Sequence, residues 1–169
     1  MPTLRDVAHP ALRRAVNLVT GQEVTWMGPD DAVDGPGITA VIGFRGDGIA
    51  GNLGVTASPA SLAALHPLQP SAALGRSDLS DWAGELANQL LGVVKHQLAS
   101  HGLDTWTGTP VVLQVLAPNP KANLNDTLLC KLKPLEAVVW LELSGVDLDT
   151  LDLPTAVDQG LKSGDMIWF

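Results

Sequence analysis

The stretch LSDWAGELANQLLGVVKHQLASHG, residues 79–102, has the most regular pattern in the chain. Placed at about 100° per residue, its apolar side chains fall on one side of a helix and its polar or small side chains on the other. The pattern predicts a long amphipathic helix that is capped by Ser77 or Ser80 and stops at Gly102. The apolar side is Leu86, Ala87, Leu90, Leu91, Val93, Val94 and Leu98, interrupted by Gln97; the other is Glu85, Asn88, Gln89, Gly92, Lys95, His96, Ala99 and Ser100.

Two side chains of the polar stripe, Glu85 and Asn88, lie about one turn apart and are expected to point outward together. Amphipathicity alone is typical of an ordinary solvated face. Gly92 argues for more, because a glycine inside a helix costs about 1 kcal/mol relative to alanine. Close approach of another backbone is one reason to keep a glycine there. We therefore predict that this stripe is a docking surface.

The remaining segments predict an α/β fold: a single domain with an antiparallel-rich sheet, an N-terminal helix and the long helix. A hairpin over residues 38–58 is expected to turn at Gly46–Gly48. Within residues 2–21 a helix is predicted whose regular part begins near Pro10, with Pro10 in its first turn, and which ends at Gly21. The other predicted elements are a strand at 22–26, a loop at 28–37, a short helix over 58–68 that ends near Pro67, and strands within 110–118, 127–135 and 137–145.

The last 24 residues form an acidic segment, VDLDTLDLPTAVDQGLKSGDMIWF. We interpret residues 1–145 as the domain and residues 146–169 as a C-terminal extension that packs on it or adjoins it. A short helix and a final strand covering an open sheet edge are expected in this extension.

Composition narrows the function classes. The 169 residues are 46% hydrophobic and 17% charged, which indicates one folded domain. The net charge of −8 argues against non-specific binding to nucleic acid, which requires clustered Lys and Arg. A single cysteine, Cys130, excludes an internal disulfide, the N-terminus MPTLRDVAHPALRR has no signal-peptide pattern, and no apolar run approaches the roughly 20 residues of a membrane span. A cytoplasmic protein is expected.

One glycine pattern invites a nucleotide-binding interpretation. GDGIAG, residues 46–51, satisfies G-x-G-x-x-G, but that turn requires a helix directly after the glycines and an acid about 20 residues further on. The strand-like NLGVTAS follows instead, and the region of Ser71 offers no acid. The segment is therefore predicted to be a glycine-rich hairpin.

Metal sites are not predicted either. The acidic string after Gly145 fails the calcium-loop pattern, because counting from Asp147 puts Leu151 at the fifth position and Asp158 at the twelfth. Cys130 has no companion at zinc spacing. The histidines show no ligand pairing and are expected to be solvated: His9, His66, His96 and His101.

An internal similarity links the two long helical segments. RAVNLVTG, residues 14–21, aligns without gaps to ELANQLLG, residues 85–92, with Asn17 matching Asn88 and Gly21 matching Gly92. Arg14 stands where the second copy has Glu85. A duplication and a chance match between helical octamers remain equally open at this point.

The pattern Asp81-x-x-x-Glu85-x-x-Asn88 on a long helix, followed by a proline, resembles the signature of the CheC/CheX/FliY phosphatases of bacterial chemotaxis. The resemblance covers roughly residues 4–145, is closest to CheX, and is most specific at 41–58 and 84–98. Pro110 matches the family proline one residue nearer than usual, and the segment after Gly145 has no counterpart. One motif per chain, with Arg14 in the other repeat, is the arrangement of CheX.

The resemblance implies that the protein dephosphorylates a CheY-like response-regulator receiver phosphorylated on an aspartate. Asn88 would orient the attacking water and Glu85 would anchor the receiver through a lysine. Mg²⁺ would belong to the receiver, so that this chain has no cofactor of its own. Further contacts with the receiver are expected from Asp81, Gly84, Gln89, Gly92, Lys95 and His96.

Two other readings stay open. In one hypothesis the chain is a non-catalytic adaptor that binds a receiver, and in the other it is a partner of the deamidase CheD. The resemblance also implies a homodimer joined through sheet edges, for which the apolar strands in residues 127–145 are suitable.

Overall fold

The structure is a computed structural model, and it describes residues 1–28, 31, 36–68, 73–115 and 125–156. Its helices and strands follow one another along the chain with α2 and α3 between the third and fourth strands. The helices are α1 Leu4–Thr20, α2 Pro59–Leu65 and α3 Arg76–Ala99; the strands are β1 Glu23–Trp26, β2 Gly37–Gly46, β3 Ile49–Ala57, β4 Thr105–Thr107, β5 Val111–Val115, β6 Thr127–Lys133 and β7 Ala137–Leu143.

In the part of the chain that is described, the strands form one seven-stranded antiparallel sheet with the order β1-β6-β7-β3-β2-β4, and β5 also pairs with β2. The predicted α/β class with an antiparallel-rich sheet is confirmed. The order is symmetric about the β7–β3 pair. If α1-β1-β2-β3 corresponds to α3-β4/β5-β6-β7, each strand has its counterpart at the mirrored place, as a duplicated unit would require.

The two long helices, α1 and α3, pack against each other and against one face of the sheet. Alternate residues of the central strands, such as Ile42 on β2 and Leu53 on β3, point toward them and are fully buried. In α3 the buried stripe includes Leu86, Leu90 and Val94, as the helical spacing predicted. No residue of the predicted polar stripe is buried.

The start of α1 differs from the prediction. The helix begins at Leu4, where Thr3 and Asp6 form a capping box, and Pro10 lies inside it on the exposed side. The free N–H groups of the first turn have partners elsewhere in the chain, since Leu4 N donates to Leu151 O and Arg5 N to Leu148 O. The end at Gly21, with φ of +68°, is as predicted.

The caps of α3 also differ from the prediction. Neither Ser77 nor Ser80 caps it; the helix follows Gly75, whose N–H donates to Asp78 Oδ2 at 2.8 Å. The helix ends at Ala99, before the predicted Gly102, which takes a φ of +80° in the following turn.

The hairpin β2–β3 turns at Asp47 and Gly48, so the hairpin interpretation of GDGIAG is confirmed. β4 was not predicted. A correction concerns the strands proposed for edge association: β6 lies between β1 and β7, and β7 lies between β6 and β3, so neither is an edge. The sheet ends instead at β1 and at β4 and β5.

Residues 146–156 run across the start of α1 and the end of α3. Leu148 and Leu153 are buried in the same core as the sheet, and Arg5 forms an ion pair with Asp149. Within 146–156 the backbone forms neither a helix nor a strand, apart from a single bridge between Asp152 and Thr3. The predicted final strand falls in 157–169, outside the described residues.

No helix among the described residues has both the length and the apolar character needed to cross a bilayer.

Candidate functional site

A groove of about 460 Å³ runs between α3 and the segment that links β4 to β5. Helix α3 supplies one wall, because Ser80, Gly84 and Asn88 recur every fourth residue and so share a face. The opposite wall is the link Gly108, Thr109 and Pro110 between β4 and β5, together with Val112 of β5. Its lining residues are Ser80, Asp81, Gly84, Glu85, Asn88, Gly108, Thr109, Pro110 and Val112.

Gly84 forms the floor of this groove. It is buried, and a Cβ added to it would lie 3.4 Å from Val112 Cγ2 and 3.6 Å from Pro110 Cβ. The small residue therefore lets another part of the same chain come close. The predicted role of Gly84 in contacting a partner stays a prediction.

Glu85 and Asn88 both line the groove, as residues one turn apart on one stripe should. Glu85 is exposed and accepts a hydrogen bond from Gln89 Nε2 at 2.7 Å, which fixes the Gln89 side chain against Glu85. Asn88 is half-buried. The arrangement presents a carboxylate and an amide to whatever enters the groove.

The groove is negatively charged. Asp81 and Glu85 are its charged lining residues, and no Lys or Arg lines it within the described part of the chain. A free phosphate or nucleotide would be repelled, whereas a cationic side chain would be attracted. The described residues contain no group of three or more His, Cys, Asp or Glu side chains that is suited to a metal ion.

Three other predicted contact residues lie on α3 beyond the groove. Gly92 follows Asn88 by one turn and is half-buried, Lys95 is half-buried, and His96 is exposed. None of them lines the groove. They extend its helical wall toward the C-terminus of α3.

The counterpart of this site on α1 is built differently. Arg14 and Asn17 are both exposed on α1. Gly21 ends α1 in the left-handed region, whereas its match Gly92 lies inside α3. The repeated octamers thus end in different structures.

The histidines are not all solvated, which corrects the prediction. His101 is 8% exposed, and its Nδ1 lies 2.7 Å from Pro154 O. His9 is half-buried and stacks on Trp26 with 3.5 Å between the ring centroids. Only His96 is exposed among the four.

The sequence analysis found Asp81, Gly84, Glu85, Asn88 and Pro110 but missed Ser80, Gly108, Thr109 and Val112. Ser80 is one turn before Gly84 on the same face, so helical spacing alone was enough to include it. Gly108, Thr109 and Val112 come from a separate segment, and only the fold brings them to α3. The available signal was Gly108 and Pro110 directly before the predicted strand.

The described sheet, with two long helices packed on one face, is the fold of the CheX and CheC-like chemotaxis proteins. The sequence-based recognition is confirmed at the level of the fold. No protein-family model and no curated protein matches the chain.

Three solved structures define the likeness. CheX from Vibrio vulnificus has a TM-score of 0.63 and 17% identity, covering 83% of this chain and 98% of that one. A CheC-like superfamily protein from Shewanella sp. PV-4 has a TM-score of 0.65 and 17% identity, covering 84% and 97%. The CheX–CheY–BeF₃–Mg²⁺ complex from Borrelia burgdorferi has a TM-score of 0.60 and 11% identity, covering 85% and 99%.

Proposed function

We propose that this protein is an aspartyl-phosphate phosphatase that acts on a CheY-like response-regulator receiver in chemotaxis signalling. The observation that carries the proposal is the placement of Glu85 and Asn88 side by side along one groove. The likeness to the Borrelia burgdorferi complex, in which a CheX binds CheY with BeF₃ and Mg²⁺, supports a receiver as the partner.

The chemistry asks little of the protein beyond positioning. A water attacks phosphorus, the bond between phosphorus and the receiver's aspartate oxygen breaks, and inorganic phosphate leaves while the aspartate carboxylate is restored. Holding that water in line is the main contribution that a second protein can make. The amide of Asn88 suits this task because it can accept a hydrogen bond from water and donate one to a phosphoryl oxygen.

The negative charge of the groove fits a substrate that arrives attached to a protein. Asp81 and Glu85 disfavour free phosphate, so the phosphoryl group has to be brought in by contacts made elsewhere. In the proposal, Glu85 pairs with a lysine beside the receiver's phosphoaspartate, and Gln89 holds the Glu85 carboxylate in place. The Mg²⁺ is the receiver's own, and this chain adds no cofactor.

Two further parts of the proposal concern the setting. We place the activity in the cytoplasm, together with its receiver. We also expect a homodimer, and its sheet-edge contacts would have to use β1 or the β4 and β5 side, because these are the outer strands of the described sheet.

The decisive experiment measures loss of phosphate from phosphorylated receivers of the same genome with wild type, Asn88→Ala and Glu85→Ala. We expect wild type to accelerate the loss, Asn88→Ala to lower kcat by about 100-fold, and Glu85→Ala mainly to raise KM. Asn17→Ala is the matched control, since Asn17 is the exposed counterpart of Asn88 on α1.

Equal acceleration by Asn88→Ala would refute the assigned role of the amide. If wild type accelerates no receiver but binds one, the adaptor reading replaces the phosphatase. If the chain binds no receiver and is retained by CheD irrespective of Asn88, the deamidase-partner reading is favoured.

A further inference from the structure

A second hollow of about 400 Å³ lies nearer the N-terminus of α3 than the groove at Asn88 does. This second hollow, here called the Arg76 pocket, is lined by residues at the starts of β2, α2 and α3 and near the end of β5. Its residues are Pro36, Gly37, Ile38, Pro59, Arg76, Leu79 and Gln114.

The two hollows are lined by different residues of the same two elements, α3 and β5. On α3, Arg76, Ser80, Gly84 and Asn88 are four residues apart, and each side chain is turned by about 40° from the one before it, so the wall winds gradually around the helix from one hollow to the other. On β5, Gln114 and Val112 are two residues apart and face the helix together. At 1.5 Å per residue, Arg76 lies about 18 Å along the helix from Asn88, which is within the width of one receiver domain.

The walls of the Arg76 pocket are mostly carbon. Ile38 is 4% exposed and Leu79 is 8% exposed, so these side chains are fixed in the core and show only their edges to the pocket. Pro36 and Pro59 add rigid apolar rings. Such a hollow suits an apolar side chain, whose transfer out of water is favourable by about 25 cal/mol for each Å² buried.

A single cation stands at the rim of these apolar walls. Arg76 is exposed, and no described residue forms an ion pair with it. The nearby Asp78 carboxylate is used to cap the helix at Gly75. A cation in the first turn of a helix is unfavourable toward the helix dipole, and a chain with 18 acidic and 10 basic residues has few cations to place. Arg76 is therefore suited to pair with a carboxylate of a partner.

We propose that the Arg76 pocket is a second docking site for the receiver, and that it takes an apolar side chain flanked by an Asp or Glu on the receiver's surface. The proposal rests on the proposed function, because the groove at Asn88 has to hold the phosphorylated end of the same molecule. The two hollows would then divide the work: the Asn88 end positions the water, and the Arg76 end selects which receiver is bound.

The test compares two variants of the pocket with two controls in the dephosphorylation assay. Arg76→Glu reverses the charge, and Gln114→Trp fills the pocket from β5. Arg45→Glu makes the same charge change on an exposed residue of β2, and Leu113→Trp introduces the same indole on the opposite face of β5. We expect both pocket variants to raise KM at least tenfold while kcat stays within twofold, and both controls to match wild type.

Unchanged KM in Arg76→Glu and Gln114→Trp, with wild type active, would overturn the pocket proposal and leave the phosphatase intact. A binding measurement tests the pocket proposal in the case that the phosphatase proposal fails. In the Asn88→Ala background, affinity for the beryllofluoride-activated receiver is measured with and without Arg76→Glu. If no receiver is dephosphorylated, a tenfold weaker affinity with Arg76→Glu still supports the pocket; equal affinity, or no binding by either protein, overturns it.

Discussion

Gln89 Nε2 donates a 2.7 Å hydrogen bond to Glu85 Oε1, so the carboxylate at the rim of the groove is held by the following turn of α3. The two side chains are four residues apart, which is the spacing at which polar side chains of a helix meet. Ordering Glu85 before a partner arrives lowers the entropy lost on binding. This contact makes Gln89 a positioning residue for the proposed anchor.

Replacing Gln89 with leucine tests that role. Leucine keeps the bulk and the helix propensity but cannot donate, so we expect KM for the phosphorylated receiver to rise about twofold, as a pair interaction of about 0.2–0.5 kcal/mol implies. The kcat should not change, and the double variant with Glu85→Ala should be no worse than Glu85→Ala alone. Gln97→Leu on the same helix is the control. A fall in kcat without a change in KM would contradict the positioning role.

Gly84 separates stability from access to the groove. An alanine Cβ would make ordinary contacts with Val112 and Pro110 at 3.4 and 3.6 Å, so Gly84→Ala should gain about 0.5–1 kcal/mol of helix stability in urea unfolding and keep its activity. Gly84→Leu should fill the groove and lower kcat/KM at least tenfold. Circular dichroism checks that it folds. A folded Gly84→Leu variant with wild-type kcat/KM would show that the groove is not the site.

Gly54 is required by the packing of Trp140 across the sheet. A Cβ added at Gly54 would overlap the Trp140 indole on the neighbouring strand. We expect Gly54→Ala to lower the free energy of unfolding by about 3 kcal/mol, and Trp140→Val to recover part of that loss in the double variant. Gly43→Ala is the control, because its Cβ would make ordinary contacts with Asn52 Oδ1 at 3.4 Å and Gly51 O at 3.9 Å. Additive losses in the double variant would refute the clash.

Leu148 tests whether the segment after Gly145 belongs to the folded unit. It is fully buried in the common core, so Leu148→Ala should cost about 2–5 kcal/mol in the free energy of unfolding. Leu113→Ala, at a site that is 52% exposed, should stay within about 0.5 kcal/mol of wild type. A chain ending at residue 145 should be destabilised at least as much as Leu148→Ala. Wild-type stability of that truncated chain would make the segment dispensable.

His9 makes stability depend on pH. Burial, together with the charges of Arg13 and Arg5, lowers the pKa of His9 below its usual 6.5. The unfolded chain therefore binds this proton more readily, so the contribution of His9 is complete above about pH 6.5 and is lost as the pH falls toward the folded-state pKa. Nuclear magnetic resonance titration should give a pKa for His9 below 6.5. In urea unfolding between about pH 5.5 and about pH 7.5, His9→Gln should flatten the slope and His96→Gln should keep it. A His9 pKa above 6.5 would reverse the sign.

The elements that the sequence predicted well carry their own periodic signal. The long helix has a continuous stripe from Leu86 to Leu98, and the hairpin has two strand-like runs around Asp47–Gly48. The start of α1 was missed because Pro10 was taken to mark the first turn of the helix. The helix begins earlier, and the carbonyls of Leu148 and Leu151, which are distant in sequence, accept hydrogen bonds from N–H groups of its first turn.

For the candidate site, one wall was predictable and the other was not. Helical spacing put Glu85 and Asn88 on one stripe, but the proximity of Pro110 and Val112 to Gly84 is a tertiary contact between segments more than 20 residues apart. The same limit applies to β6 and β7. Their apolar content suggested an exposed edge, whereas pairing with β1 and β3 places them inside the sheet.

The symmetric strand order has a consequence for how the protein comes apart. Each half of the chain contains one hairpin, β2–β3 in the first half and β6–β7 in the second. The strand that precedes each hairpin pairs with the hairpin of the other half: β1 pairs with β6, and β5 pairs with β2. In the described sheet, the outer strands of each half therefore pair only with strands of the other half. Unfolding of one half removes an outer strand from the other half, so we expect the two halves to unfold together.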